Sequence, residues 1–279
     1  HDRLASGAVP RCRYFRPPGC DPAPVAYADI SMTNLYDQFN GEHSALPLPA
    51  RVLTIGAHPD DAEFGAGATL ARWASQGARV TLCILSDGSK GSWDPSLDAA
   101  ELVSTREAEQ RAAAQALGAS HVVNLGHVDG ELEYTMELRK EVARQIRLEK
   151  PDVVLTHDPW QRYQLHPDHR VAGLAGVDGV VAAREPRAFP ELGEAHRPSA
   201  ILLWAADEAD HAEPVTDEWF ERKVEALLCH SSQSGTTMGD AAADREARER
   251  FVTKLDSWHH TMGNDIGTGR AETFKRLTP

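Results

Sequence analysis

The chain is poor in cysteine, with four in 279 residues, at Cys12, Cys20, Cys83 and Cys229, and no pair in CxxC spacing. Cysteines so few and so scattered make neither a disulfide framework nor a thiolate metal site, and reduced thiols in a cytoplasmic protein are expected. Long apolar runs are also missing. Stretches such as Val80 to Leu85 fall far below the roughly 18 to 20 residues that a membrane-spanning helix needs, so no span is expected. Positive charge is in deficit: 29 Lys and Arg face 42 Asp and Glu, for a formal net charge of −13. That balance opposes the phosphate neutralisation on which nucleic-acid binding rests. No GxGxxG follows the first apolar run and no GxSxG occurs, which argues against a nicotinamide dehydrogenase and a serine hydrolase.

What is present is the composition of a globular chain, 41% hydrophobic and 25% charged. Residues 1–31 carry Pro10, Pro17, Pro18, Pro22 and Pro24 without helical or strand periodicity. They read as an irregular arm ahead of Met32, a natural start, with 32–279 as a single domain. From Arg51 short apolar runs (Val52 to Gly56, Val80 to Leu85, His121 to Leu125, Val153 to Thr156, Ala200 to Trp204) alternate with helical patterns (Ala66 to Ser75, Leu102 to Leu117, Met136 to Glu149, Val171 to Arg184). Gly77, Gly118 and Pro151 punctuate the helix ends. The alternation predicts an α/β fold, a mostly parallel sheet with helices on both faces. After Trp204, an acidic loop (Asp207 to Asp217) and helices at Glu218 to Cys229 and Ala241 to Trp258 predict a C-terminal helical extension facing the substrate.

The first strand runs into Ala57-His58-Pro59-Asp60-Asp61, and the fourth leads to His166-Pro167-Asp168-His169. Taken alone, the first segment reads equally as a turn, with Pro59 setting the bend and Asp60 or Asp61 capping a helix. The second cluster changes the balance. Each sits beyond the carboxyl end of a strand, where open parallel sheets place their ligands. Two imidazole and carboxylate clusters facing one crevice suit metal-assisted hydrolysis, since catalytic zinc takes three ligands of this type and leaves a place for water. Residues three apart at a helix start share a face, so His58 and Asp61 can hold one metal, His169 can complete the set, and Asp60 is left free as a base.

These motifs, with Glu63-Phe64-Gly65-Ala66-Gly67, Thr105-Arg106-Glu107, and Lys223 followed by His230-Ser231-Ser232-Gln233, resemble the PIG-L/LmbE-like metal-dependent deacetylases from about Arg51 to Gln233. The resemblance implies a Rossmann-like fold and removal of an N-acetyl group from an N-acetylglucosamine moiety of a glycoconjugate. It implies His58, Asp61 and His169 as ligands of Zn²⁺ (Fe²⁺ or another divalent ion being the alternative) and Asp60 as general base. It also implies His166 as the charged partner of the tetrahedral intermediate, Asp168 as the carboxylate orienting His166, and Arg106 and Asp129 as sugar contacts. Two positions depart from the family pattern: Ala62 where many relatives have Glu, and Gln164 where many have an acidic residue. Both bear on the substrate rather than on the ligands.

Trp160 is a candidate for stacking on the sugar, and Tyr163 is out of phase with the tyrosine of some relatives. His211, Trp258, His259 and His260 read first as surface or packing residues, with lining of the substrate mouth as the alternative. The expected partner is a small-molecule glycoconjugate, with antibiotic tailoring in the manner of a glycopeptide pseudoaglycone deacetylase favoured. Thiol-cofactor precursors (GlcNAc-inositol, GlcNAc-malate), mercapturate-like amides and a non-catalytic sugar-binding module are the alternatives.

Overall fold

The computed structural model describes residues 46–265 and 269–279; the arm expected at 1–31, with Cys12 and Cys20, and Met32 lie outside them. The apolar runs become strands of one sheet: β1 (Arg51–Gly56), β2 (Arg79–Ser86), β3 (His121–His127), β4 (Val153–His157), β5 (Ala200–Trp204), β6 (His211–Pro214) and β7 (Ala271–Leu277). Between them lie α1 (Asp61–Ser75), α2 (Ala99–Leu117), α3 (Met136–Glu149), α4 (Pro167–Arg184), α5 (Asp217–Leu228) and α6 (Arg245–Asp265). The strand order is β3-β2-β1-β4-β5-β7-β6. The first five strands are parallel, and β7 pairs antiparallel with both β5 and β6.

Alternation along β1 feeds two cores. Val52 packs with α1 and α2 on one face, while Leu53 and Ile55 pack with α3 and α4 on the other. Burying each such side chain contributes roughly 1.5–3 kcal/mol. The expected α/β class with a mostly parallel sheet is therefore what forms. The C-terminal part corrects the expectation of a purely helical extension, because it returns two strands to the sheet as well as packing α5 and α6 into a small core with Ala68 of α1. His211, read as a surface or packing residue, is buried in β6 against Glu213, and Glu213 pairs with Arg72 of α1.

Two local features set the site. The chain leaves β1 toward β2 and β3, then crosses back to place β4 on the other side of β1. This reversal opens a crevice at the carboxyl ends of β1 and β4. The helix that begins at His166-Pro167-Asp168-His169 is pressed onto β4 by glycine: a Cβ at Gly173 would stand 2.6 Å from the His157 carbonyl oxygen, and one at Gly176 2.9 Å from the Thr156 side chain.

The second feature is a break in α1 at Ala66, where φ is −149° and ψ 16°. A broken helix exposes carbonyls above the break and N–H groups below it, and buried orphans of either kind are costly. Lys223 of α5 donates from Nζ to the Phe64 carbonyl (2.7 Å), and Glu272 of β7 accepts from the amides of Ala68 (3.1 Å) and Thr69 (2.7 Å). The two side chains also pair with each other at 2.7 Å, and both are fully buried. His259 Nδ1 donates to the Leu255 carbonyl, which leaves Nε2, 3.0 Å from Lys223 Nζ, to accept the third ammonium proton. His259, read as a surface or packing residue, is thus a core partner of the kink.

Candidate active site

A cavity of about 670 Å³ opens at the switch point and is lined by His58, Asp60, Asp61, Arg106, Asp129, His157, His166 and His169 among others. β1 delivers His58, Asp60 and Asp61; β4 delivers His157; the start of α4 delivers His166, Asp168 and His169. Asp60, just ahead of α1, has φ of 96°, a left-handed conformation rare outside glycine. It is held there by its amide, which donates to Gln110 Oε1 at 3.1 Å, while Gln110 Nε2 donates to the buried Glu63 at 2.6 Å.

The three residues expected to share a metal are neighbours pair by pair, but no one compact set of ligand atoms among the described residues unites all three. Asp61 Oδ1 is 3.4 Å from His169 Nε2, Asp61 Oδ2 is 3.6 Å from His58 Nδ1, and the His58 and His169 ring centroids are 5.2 Å apart. Ligand-type atoms cluster in three overlapping sets, His58-His166-His169, Asp61-His157-His169 and His58-Asp129-Asp168, each within 4.8 Å. Burial opposes a charge on His58, but the carboxylates of Asp129, Asp168 and Asp61 outweigh it and push the imidazole up to about 12. An acidic nest that forces a proton onto a buried histidine is a nest that a cation fits. The same imidazoles and carboxylates are ligands of divalent metals, and His166 Nδ1 and Asp60 Oδ2 are buried without a hydrogen-bond partner among the described residues.

The two adjacent aspartates are driven apart. Burial pushes Asp60 up to about 7, against the pull of Arg106 and His230 and with added push from Asp61 and Glu63. Asp61 is buried too, but His157 and His169 overcome that and hold it well below the usual carboxylate range. Such a split suits one carboxylate to proton transfer and the other to standing charge.

Four implied partners take positions of their own. Asp168 lies 3.3 Å from His58 Nε2 and accepts from the Gly130 and Leu132 amides, so it orients His58 where His166 was implied. Burial and the neighbouring His58 push the His166 imidazole down, against the pull of Asp168, Asp129 and Asp61. Asp129 sits 3.1 Å from His58 Nε2 and accepts from the Lys90 amide. Arg106 is buried, donates to the Pro59 and Gly88 carbonyls at 2.7 and 3.1 Å, and stands 3.6 Å from Asp60. It holds the motif turn as well as lining the cavity.

The PIG-L family model, described as GlcNAc-PI de-N-acetylase, matches residues 53–180. A diacetylchitobiose deacetylase of Thermococcus kodakarensis is 36% identical over 187 residues, which span 66% of this chain and 70% of that protein. The chain belongs to the PIG-L family. Among solved structures, the N,N'-diacetylchitobiose deacetylase of Pyrococcus horikoshii with its inhibitor superposes with a TM-score of 0.74 at 29% identity, covering 82% of this chain and 84% of that one. A deacetylase of the teicoplanin biosynthetic pathway gives 0.57 at 23% identity, over 82% and 98% of the chains, a likeness of fold alone.

In this PIG-L chain the stacking role expected of Trp160 is not supported. Asp158 Oδ1 accepts from the Trp160 amide at 2.9 Å, and the indole, 61% exposed, turns to solvent. The aromatics lining the cavity among the described residues are Phe64, Trp93, Trp204 and Trp258. Tyr163 is exposed, as is His260, which reaches back to the Asp256 carbonyl.

Sequence reasoning missed His157. Trp204 Nε1 donates to His157 Nδ1 at 3.0 Å, so the proton of the neutral ring is on Nε2, which donates to Asp61 Oδ2 at 2.9 Å. Trp204 is packed in place by Gly65, where a Cβ would stand 2.6 Å from the indole. The signal was its position as last residue of a strand that feeds the crevice. The His230 to Gln233 motif acts from below: Ser231 and Ser232 donate to Glu109 of α2, Gln233 to the Gly91 carbonyl, and His230 lies buried 3.8 Å from Glu63.

Proposed function

We propose that the chain is a metal-dependent N-deacetylase that hydrolyses the acetamide of an N-acetylglucosamine moiety in a small glycoconjugate. The observation that carries the reading is the pairing of Asp60, poised near 7, with Asp61, held ionised among histidines, at the mouth of the switch-point cavity. His58, Asp61 and His169 would hold a divalent cation, Zn²⁺ first and Fe²⁺ as the alternative, which polarises a carbonyl and acidifies water. His157 steadies Asp61, and Asp168 and Asp129 steady His58. Asp60 accepts the proton of the attacking water and returns it to the departing amine, leaving acetate and a 2-amino sugar. His166 offers a hydrogen bond to the oxygen that gains charge. Arg106 fixes the Pro59 carbonyl beside Asp60, and the guanidinium N–H groups not spent on the Pro59 and Gly88 carbonyls are its donors for sugar hydroxyls.

The diacetylchitobiose relative supports a short amino-sugar substrate, whereas antibiotic tailoring is supported by fold alone. The deciding experiment measures acetate release from diacetylchitobiose together with metal content in two variants. Asp61→Ala is expected to lose metal and activity together. Asp60→Ala is expected to keep metal and lose on the order of 10² to 10⁴ in kcat. Both variants keeping metal and full activity would reduce the cluster to a helix-capping turn.

A further inference from the structure

A second cavity of about 310 Å³ adjoins the first, and Phe64, Thr237 and Trp258 are walls of both. Its lining differs in kind. Met238, Phe251 and Leu255 are buried apolar side chains, and Phe64 meets Phe251 edge to face at 6.5 Å between centroids. The cations that reach it, Arg250 and Lys254, are exposed residues of α6, and Arg250 is already paired with Glu246 at 2.9 Å. A sugar ring needs polar partners at its hydroxyls, and this lining offers them poorly. Apart from Phe64, every lining residue lies beyond position 236, outside the matched residues 53–180, so the cavity is built by the part of the chain that the family model does not cover.

We infer that this cavity is a second substrate subsite, which takes an apolar group, aliphatic or aromatic, carried by the substrate beside its acetamido sugar. The inference rests on the deacetylase reading for its first subsite, and its chemistry is that of apolar burial. Such a group can be attached in two ways, through the glycosidic oxygen or as a longer N-acyl chain, and the two cavities share walls that either attachment can pass. Each methylene taken from water into such a site multiplies affinity by about fourfold, from about 0.8 kcal/mol per CH₂.

Two substrate series test it on the full chain loaded with zinc. One runs from the methyl to the hexyl glycoside of N-acetylglucosamine, the other from N-acetyl to N-hexanoyl on the methyl glycoside, and carboxylic acid release gives KM for each. At least a tenfold fall in KM along one series is expected, and which series falls identifies the attachment. The ratio should collapse toward one in Leu255→Trp, which fills the cavity from its floor; should that variant misfold, Phe251→Leu must alter the ratio instead. Acid release with KM flat within twofold along both series would overturn the subsite while leaving the deacetylase reading intact. If no compound releases acid, calorimetry of the hexyl and methyl glycosides with Asp60→Asn decides separately: tenfold tighter binding of the hexyl compound upholds the subsite, and equal binding or none refutes it.

Discussion

Replacing Glu272 by Gln removes one charge from a place that water does not reach. The carboxylate faces the buried ammonium of Lys223 at 2.7 Å and accepts two amides of the lower half of α1. An amide in its place keeps one acceptor oxygen and leaves Lys223 a buried cation without a counter-charge. Breaking a buried pair on one side costs about 3–5 kcal/mol. Burial raises the Glu272 carboxyl, but Lys223 and His259 overcome it and hold the group at about 2, against its ordinary 4.5. A depressed carboxyl contributes stability that is fully present above pH 4.5 and is lost as pH falls toward 2, on the order of 3 kcal/mol over that window. Urea unfolding of the wild type, Glu272→Gln, Lys223→Met and the double variant, from pH 7 down to pH 2, reads both effects. Each single variant should lose about 3–5 kcal/mol at pH 7, the double variant at least about 2 kcal/mol less than their sum, and the acid-dependent loss of Glu272→Gln should be smaller than the wild type's by the roughly 3 kcal/mol that Glu272 contributes. A loss below about 1 kcal/mol in Glu272→Gln, or an unchanged acid limb, would refute the reasoning.

Other substitutions probe the site. Trp204→Phe leaves His157 Nδ1 without its donor, so zinc affinity, measured against a chromophoric chelator, should fall about 10- to 100-fold; unchanged affinity in a stable variant removes the relay. Stripping metal with a chelator should abolish acetate release and added Zn²⁺ or Fe²⁺ should restore it, and turnover by metal-free protein sinks the mechanism. Arg106→Ala removes the clamps on Pro59 and Gly88, so kcat should fall along with a rise in KM; a change in KM alone would make Arg106 a plain binding residue.

Much of this was legible because the strands carry their own punctuation. β1 and β5 appear within one residue of their apolar runs, and the helix stops at Gly118 and Pro151 hold. The crevice followed from strand ends alone. α1 was read as starting at Ala66, the residue at which the helix breaks; its first turn was hidden by the charged residues that function requires there. β6 and β7 were hidden for a related reason. Ala271–Leu277 buries Glu272 next to Ala271, which spoils the alternation of a half-buried strand, and the charge that spoils it is the one that caps the kink. His157 and Trp204 were each visible as strand-end residues, but their hydrogen bond joins two strands, and nothing local in the sequence encodes that partnership.

The place of β7 in the sheet governs the order in which the protein can be assembled. It is the last of the strands in the chain yet lies between β5 and β6, so β6 has no neighbour in the sheet until β7 arrives. Glu272 reaches Ala68 across a separation of 204 residues. Closing so long a loop is an entropic cost met late, and topologies rich in such contacts fold slowly. A growing chain that has emerged only as far as α6 already holds His58, Asp60, Asp61 and His169, but the lower half of α1 still lacks its cap. During refolding, tight zinc uptake should therefore lag behind formation of the parallel strands and coincide with the docking of β7.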